Sequence, residues 1–194
     1  MSPTAEPAVH DPDGELVRRA ADGDGQAWQA LVDRHLGIVH ALAARLLGSR
    51  AEAEDVAQEA FLRAWRHIDR WQPGQARWGT WLCRVALNLC RDRLRRPRPL
   101  ALDEAPEMAD GRPSPAAALQ AGAVAAQVRA PLDRLPERQR EALVLCYYEQ
   151  MSNIEAAQVM EVSVEALESL LSRARRALRR DLAGQAPDLL GEVT

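Results

Sequence analysis

One segment of the chain combines arginine with tryptophan at helical spacing. Residues 77–96 read RWGTWLCRVALNLCRDRLRR, and a helix would place four polar side chains at intervals of four, three and four on one stripe. The stripe consists of Arg84, Asn88, Arg91 and Arg95. Guanidinium groups can follow a phosphate backbone, and an amide can hydrogen-bond to a base edge. The spacing therefore favours a nucleic-acid contact along this helix.

Three tryptophans cluster around the start of the same helix, namely Trp71, Trp78 and Trp81. An unstacked base gains about 1–3 kcal/mol by stacking on an aromatic side chain, whatever its identity. The alternative is that the indoles only fill the core of a small helical domain. Because the cluster and the arginine stripe share one helix end, the pattern favours nucleic-acid binding.

The formal net charge of −3 hides a strong segregation of charge. Residues 77–98 hold seven Arg and one Asp, whereas residues 51–62 hold four acids and no base. All 25 basic residues are Arg, which suits phosphate binding but also follows from a GC-rich genome. We expect one basic and one acidic surface.

The composition argues against several classes of protein. No apolar run approaches the roughly 20 residues of a membrane span, and residues 1–15 lack the basic start and apolar core of a secretion signal. We therefore expect a cytoplasmic protein without membrane insertion. The three cysteines form no CxxC pair and the four histidines are scattered, so we predict no metal site, no cofactor, no small-molecule substrate and no enzymatic centre.

Apolar residues at three- and four-residue spacing predict helices throughout, so the expected fold class is all-α. The first half holds a helix ending near residue 48, a second over about 51–68 and a third over about 80–96. Trp65 is assigned to the inner side of the second helix. We group residues 15–96 as one domain, preceded by a disordered N-terminus of residues 1–14.

Residues 97–115 hold five of the twelve prolines and little apolar periodicity, which predicts a flexible linker between two small helical domains. The second domain is assigned to residues 116–183, with a tail of residues 184–194. It begins with an Ala-rich helix over about 115–130. Farther on, the segment SNIEAAQVMEVSVEALESLLSRARRALRRDL predicts two helices joined by a tight turn, with Ser163 as the N-cap of the second. This is a helix-turn-helix pattern.

Three strings, in this order, resemble one known family: AEDVAQEAFLRAW, WGTWLCRVALNLCRDRLRR and LPERQREALVLCYYEQMSNIEAAQVMEVSVEALESLLSRARRALR. The chain resembles the sigma-70 family of bacterial RNA polymerase sigma factors, specifically the small extracytoplasmic-function (ECF) subfamily. The resemblance covers about residues 16–182. It implies two helical domains that direct core RNA polymerase to promoters, in a protein that is not itself an enzyme.

The resemblance also implies roles for both surfaces of the first domain. The acidic helix matches the family's docking surface for the clamp helices of the polymerase β′ subunit, at Asp55, Gln58 and Glu59. Charge alone would equally fit a solvated helix face. The tryptophan loop and the helix after it match the part that opens the minus-ten element and captures a flipped base. The matching positions are Trp71, Trp78, Trp81, Arg84, Asn88, Arg91 and Arg95.

The second domain resembles the family's reader of the minus-thirty-five element, with the helix from Val164 in the major groove. The positions expected on its groove face are Glu168, Ser169, Ser172, Arg173 and Arg176. Many relatives carry a basic residue at Glu168 and another at Leu170, and a glycine at Glu161. A carboxylate at Glu168 can accept from a cytosine amino group or repel the phosphate backbone, so the preferred minus-thirty-five sequence is expected to differ.

The family resemblance implies three partners. They are core RNA polymerase, contacted at the β′ clamp helices and the β flap, promoter DNA, and an anti-sigma factor that holds the protein inactive until a stress or envelope-response regulon is needed. The alternative from the residues is a helix-turn-helix regulator that acts without core polymerase. That alternative accounts for the second domain and leaves the first unexplained.

Overall fold

All regular elements that the structure describes are helices, which confirms the all-α prediction. The computed structural model describes residues 11–72, 76–96 and 131–189, with side chains up to residue 181. The chain divides into two compact units, with the main boundary after Pro97. Within the described residues, no helix combines the length and apolarity needed to cross a bilayer. The predicted linker, the predicted Ala-rich helix, residues 1–10 and residues 190–194 lie outside the described residues, whereas residues 11–14 and 184–189 are described.

The first two helices are bounded by residues that satisfy their terminal backbone groups. Helix α1 spans Gly14–Ala21, a helix that the sequence did not distinguish, and helix α2 spans Gly25–Leu47. The Asp24 carboxylate caps α2 by accepting from the second and third backbone N–H groups of the helix, at 2.9 and 3.2 Å. Gly48 ends α2 with a φ of +75°, which glycine adopts at little cost.

Helix α3 spans Arg50–His67, within one residue of the prediction, and continues into a 3₁₀ turn at Ile68–Arg70. The Ser49 hydroxyl caps it by accepting from the Glu52 N–H at 3.3 Å. Burial of the inner face of α3 against α2 holds the two helices together. The buried residues of α3 are Ala53, Val56, Ala57, Ala60, Phe61 and Ala64.

Helix α4 spans Trp78–Arg95 and starts two residues before the predicted start. Its N-cap residue, Arg77, makes no side-chain capping bond. Instead, Asp11 Oδ2 accepts from the Trp78 N–H at 2.8 Å, so the cap comes from a residue 67 positions away. Local sequence gives no sign of this long-range cap, which explains the displaced start.

In the described residues of the second unit, three helices pack around a core. Helix α5 spans Glu137–Leu143, helix α6 spans Asn153–Met160 and helix α7 spans Val164–Leu189. One buried cluster joins Leu132, Leu135 and Leu143 to Ala174 of α7. The other side chains of α6 and α7 with almost no exposed area are Ala156, Ala157, Val159, Met160, Leu167 and Leu171.

A π-helical turn at Val144–Tyr148 continues α5 and changes the register of its side chains. The sequence pattern groups Leu143, Val144 and Tyr147 on one apolar face. Leu143 and Val144 are buried as expected, but Tyr147 is 53% exposed. A π turn takes more residues than an α turn, so the residue that a regular helix would bury is rotated outward. Tyr148 packs against the core in its place.

Both helices of the predicted helix-turn-helix are capped by serine. Ser152 and Glu155 form a reciprocal pair at the start of α6: Ser152 Oγ accepts from the Glu155 N–H, and Glu155 Oε2 accepts from the Ser152 N–H. At the start of α7, Ser163 Oγ accepts from the Ala166 N–H at 3.2 Å, as predicted. Between the two helices, Glu161 has a φ of +55°.

We predict that Glu161→Gly stabilises the second unit by about 0.5–1 kcal/mol, because a left-handed backbone strains a side chain with a Cβ and does not strain glycine. The measurement is a urea titration of the full chain followed by far-ultraviolet circular dichroism. All five tryptophans lie in the first unit, so their fluorescence reports that unit separately. Glu161→Ala is the control, since it keeps the Cβ. Equal effects of the two substitutions would contradict the backbone explanation.

Candidate functional site

The tryptophans at the start of α4 form one aromatic cluster with a histidine. The ring centroids of Trp71, Trp78 and Trp81 lie 5.2–5.6 Å apart in pairs. The His67 ring stacks on Trp81 with a centroid distance of 5.0 Å and an interplanar angle of 17°. His67 ends α3 and was not among the predicted site residues. The cluster therefore joins the end of α3, the following loop and the first turn of α4.

The members of this aromatic cluster differ in exposure. Trp78 has no exposed area, whereas Trp71, Trp81 and His67 are partly exposed. The prediction that Trp78 contacts DNA is corrected accordingly, because a fully buried indole offers no face to a base. Trp78 packs against Trp71 and Trp81 from the core side. The accessible aromatic surface belongs to Trp71, Trp81 and His67.

The predicted polar stripe runs along α4 from this cluster. Arg84, Asn88 and Arg91 are half-buried and Arg95 is exposed. Arg91 Nη1 donates to Asn88 Oδ1 at 3.0 Å, which orients both side chains. The opposite face of α4 buries Leu82, Cys83, Ala86, Leu87, Leu89 and Cys90. One face of the helix therefore anchors it while the other presents cationic and amide groups.

The acidic residues of α3 are interleaved with arginine. The ion pairs include Arg50–Glu54 at 3.0 Å, Arg63–Glu59 at 2.8 Å and Arg93–Asp55 at 3.9 Å. The hydrogen bond from Arg63 lowers the pKa of the Glu59 carboxyl, so this group stays ionised at neutral pH. The Asp55 side chain is 69% exposed and Gln58 is exposed. Exposed pairs of this kind are weak, so a basic partner can replace them at little cost.

Gln58 and Leu62 form a ridge on α3 between two open grooves. The groove on the α2 side has a volume of about 960 Å³ and is mainly apolar, with Trp28, Leu36, Phe61 and Trp65 among its lining residues. The groove on the α4 side has a volume of about 450 Å³ and is mainly charged, with Asp55, Glu59, Arg63, Asp92 and Arg93 among its lining residues. The ridge thus offers apolar and charged contacts side by side.

Large apolar side chains are exposed around this ridge. Leu36, Leu62 and Trp65 are 43–45% exposed. The sequence pattern places Trp65 on the inner side of α3, but the side chain packs edge-on against Trp28, with a centroid distance of 5.0 Å, and is 45% exposed. Adjacent exposed apolar side chains of this size mark an interaction surface.

The predicted groove face of α7 is exposed along its length. Glu168, Ser169, Ser172, Arg173 and Arg176 all lie on the solvent side of the helix, opposite the buried Leu167, Leu171 and Ala174. Asn153 Nδ2 of α6 donates to Glu168 Oε1 at 3.3 Å. The Glu168 carboxylate is therefore held by a neighbouring helix. The Arg175 guanidinium lies over the Tyr147 ring, 5.7 Å from its centroid.

The described residues contain no group of three or more His, Cys, Asp and Glu side chains placed to hold a metal ion. Cys83 and Cys90 are buried, and Cys146 is half-buried. Burial raises the pKa of the Cys146 thiol, an effect only partly offset by Arg175, so the thiol is protonated at neutral pH.

Comparison with known families gives two matches in the predicted order. Residues 31–99 match the family described as Sigma-70 region 2, and residues 125–178 match the family described as Sigma-70, region 4. The first match includes most of α2 with α3 and α4, and the second includes α5, α6 and over half of α7. The aromatic cluster with the polar stripe, the Gln58–Leu62 ridge and the exposed face of α7 all fall within these matches.

Relatives match nearly the whole chain. The ECF RNA polymerase sigma factor SigW of Bacillus subtilis is 32% identical, over 86% of this chain and 94% of its own length. The RNA polymerase sigma factor CnrH of Cupriavidus metallidurans is 36% identical, over 87% of this chain and 93% of its own length. The chain belongs to the ECF sigma factors. This sigma factor is a transcription initiation factor, and its partners are core RNA polymerase and promoter DNA.

Solved structures of sigma factors share the fold. The structure of CnrH in complex with the cytosolic domain of CnrY has a TM-score of 0.70 at 33% identity, and it covers 90% of this sigma factor and 99% of the CnrH chain. The sigma factor RpoE from Bartonella quintana, solved in complex with NepR, has a TM-score of 0.60 at 21% identity and shows the fold alone.

Several residues of the candidate site were not found from the sequence. His67, Leu36 and Leu62 lie on helices that were predicted, but helical periodicity does not say which partly apolar positions a neighbour covers. Asn153 lies 15 residues from Glu168, and only the packing of α6 on α7 brings them together. The Ser152–Glu155 capping pair carried a readable signal, since Ser followed three residues later by Glu is typical of a helix start.

Proposed function

We propose that this sigma factor docks on core polymerase through α3 and opens promoter DNA with α4. The supporting observation is the separation of two surfaces on one helical unit. The docking ridge is formed by Gln58 and Leu62, and the aromatic cluster includes His67 at the end of α3. Leu62 at the end of the ridge and His67 are five positions apart in α3, which places them about 140° apart around the helix axis. The two surfaces can therefore hold polymerase and DNA at the same time.

The domain assignment follows the same proposal. Residues 15–96 act as region 2, and residues 116–183 act as region 4 with its helix-turn-helix. Residues 97–115 link the two, and residues 1–14 and 184–194 flank them. The sigma factor acts in the cytoplasm, where core polymerase and promoter DNA meet.

Docking on the polymerase β′ clamp helices uses both kinds of contact at the ridge. Asp55, Gln58 and Glu59 supply polar groups that suit a basic helix, and the exposed Leu62 and Trp65 supply apolar area beside them. Interfaces usually take most of their binding energy from a few such large side chains ringed by polar groups. A ridge between two grooves also suits the ridges-into-grooves packing of a partner helix. The β flap is the proposed contact of the second unit.

The double variant Asp55→Ala, Gln58→Ala is expected to weaken binding to core polymerase by about tenfold, because it removes two exposed polar groups from the ridge. The measurement is fluorescence anisotropy of the labelled full chain, with gel filtration as a second readout. The matched control is Glu15→Ala, Asp22→Ala, which removes two exposed acids paired with Arg18 on α1. Equal affinities of the two double variants would contradict docking through α3.

Opening of the minus-ten element is assigned to the exposed part of the aromatic cluster and the polar stripe. A base extruded from the duplex loses a few kcal/mol of stacking, which an aromatic platform can offset. Trp71, Trp81 and His67 provide that platform, and Trp78 holds it from the core. Arg84, Asn88, Arg91 and Arg95 then lie along α4, where guanidinium groups can contact the phosphates of the captured strand.

Trp81→Ala is expected to reduce promoter opening by about tenfold, because a captured base loses part of its stacking surface. The probe is a promoter selected from a random duplex library by the wild-type chain with core polymerase. Opening is measured by permanganate reactivity of unpaired thymines at saturating sigma factor. The control is Leu94→Ala, an exposed apolar residue elsewhere on α4. Opening at the wild-type level by Trp81→Ala would contradict this role.

The helix α7 is assigned to the minus-thirty-five element. Ser169, Ser172, Arg173 and Arg176 are exposed in the pattern expected for a helix in the major groove. Glu168 lies on the same face, and Asn153 holds its carboxylate at 3.3 Å. A carboxylate on this face can accept from the N4 amino group of cytosine. We therefore assign to Glu168 a preference for cytosine at one position.

Glu168→Gln is expected to move this preference from cytosine to adenine, since an amide pairs with the adenine edge, with a change in relative affinity of about tenfold at that position. The measurement is selection of minus-thirty-five sequences from a randomised duplex by the full chain with core polymerase. The control is Asp181→Asn, which removes the same charge from α7 at an ion pair with Arg134. An unchanged base preference of Glu168→Gln would show that Glu168 does not read a base.

Regulation by an anti-sigma factor is proposed for the same docking surface. CnrH, a relative with 33% identity, is solved in complex with the cytosolic domain of CnrY. In the present chain, the apolar groove beside the Gln58–Leu62 ridge is exposed when polymerase is absent. An inhibitor that covers it would compete with core polymerase until a stress or envelope-response regulon is needed. Simultaneous binding of inhibitor and core polymerase in an anisotropy competition would contradict this arrangement.

A further inference from the structure

A short segment ahead of α1 is tied to the first turn of α4. The Asp11 carboxylate accepts two hydrogen bonds, one at Oδ1 from the Asp13 N–H at 3.0 Å and one at Oδ2 from the Trp78 N–H at 2.8 Å. The Gly14 N–H also donates to the Asp11 backbone oxygen at 3.1 Å. Asp11 therefore closes a tight turn in its own segment and caps α4 at the same time.

The same segment is anchored in the core by a buried carboxylate. Asp13 is 3% exposed, and its two oxygens meet the Arg34 guanidinium and His35 Nε2, the latter at 2.7 Å. Burial by itself would raise the pKa of Asp13, but the hydrogen bonds and charges of His35 and Arg34 outweigh it and hold the pKa below its usual value. Asp13 is therefore ionised at neutral pH and fixes the segment to α2.

The buried Asp13 and the capped first turn of α4 are joined through His35. A Cβ at Gly79 would come within 2.8 Å of His35 Cε1, so the first turn of α4 lies directly against the residue that holds Asp13. Only glycine allows this approach. The first turn of α4 thus meets the rest of the unit at the Asp11 cap and at the His35 ring.

The first turn of α4 is also the turn that carries Trp78 and Trp81. We propose that Asp11 is a positioning residue for promoter opening: by capping α4 it holds Trp81 where an extruded base can stack. This inference rests on the proposed role of the aromatic cluster in opening the minus-ten element. Its electrostatic basis is that a carboxylate at a helix N-terminus accepts unpaired N–H groups and opposes the positive end of the helix dipole. Asp11 itself need not touch DNA.

Asp11→Ala is expected to reduce opening of the selected promoter by about fivefold at saturating sigma factor, the size of effect typical of a lost N-cap. Its affinity for core polymerase should equal that of the wild type, because the docking ridge is elsewhere. Asp11→Asn should recover most of the opening, since its amide oxygen can still accept from the Trp78 N–H. Wild-type opening by Asp11→Ala, or no recovery by Asp11→Asn, would overturn the proposal.

Asp24→Ala is the matched control, because it removes an Asp N-cap from α2 in the same unit. It should lower the melting temperature about as much as Asp11→Ala and leave opening unchanged. An equal loss of opening in Asp24→Ala would mean that general destabilisation explains the defect in both variants, and it would overturn the proposal. Trp81→Ala distinguishes a failure of the proposed function from a failure of this inference. Normal opening by Trp81→Ala would show that the aromatic cluster has no role in opening. Defective opening by Trp81→Ala together with normal opening by Asp11→Ala would reject only the positioning role of Asp11.

Discussion

Helix α4 lies between the hydrophobic core and solvent, and the arrangement of the first unit depends on how α4 is held in that position. One face inserts Trp78, Leu82 and Ala86 into the core with no exposed area, and the other presents the arginine stripe. Successive residues turn by about 100° around a helix, so the two faces are fixed relative to each other. A rotation of α4 would bury guanidinium groups at high cost. The buried indole of Trp78 and the remote cap from Asp11 together fix where α4 starts and how it is turned.

Charge is distributed unevenly between α3 and α4, as the proposed roles of these two helices require. The net charge of −3 gives no sign of DNA binding, but Arg84, Arg91 and Arg95 form one stripe on α4, and acids of α3 line the grooves beside the Gln58–Leu62 ridge. The ion pairs along α3 are exposed and therefore weak, so they keep the helix compatible with solvent without competing strongly with a partner. Local potential of this kind steers association and excludes wrong partners more than it adds stability.

The second unit stores backbone strain on both sides of α6. Gln150 precedes this helix with a φ of +53°, and Glu161 follows it with a φ of +55°. Residues with a Cβ adopt such angles at a cost of about 1 kcal/mol or more. The reciprocal Ser152–Glu155 cap and the burial of α6 offset this cost. The tight turn at Glu161 orients α7 relative to α6 and places Asn153 within hydrogen-bond distance of Glu168.

The sequence by itself determined the all-α class, the helix-turn-helix and the ECF sigma-factor family, because helical periodicity, serine caps and motif order are local signals. It also identified the polar stripe of α4, whose spacing is set by the helix alone. Only the tertiary structure decided which aromatic residues are accessible: Trp78 is buried, while Trp65 is 45% exposed. It alone paired Asp11 with Trp78 and Asn153 with Glu168. The physical reason is that periodicity specifies a face of a helix, whereas coverage of that face and hydrogen bonds between distant residues depend on how the helices pack.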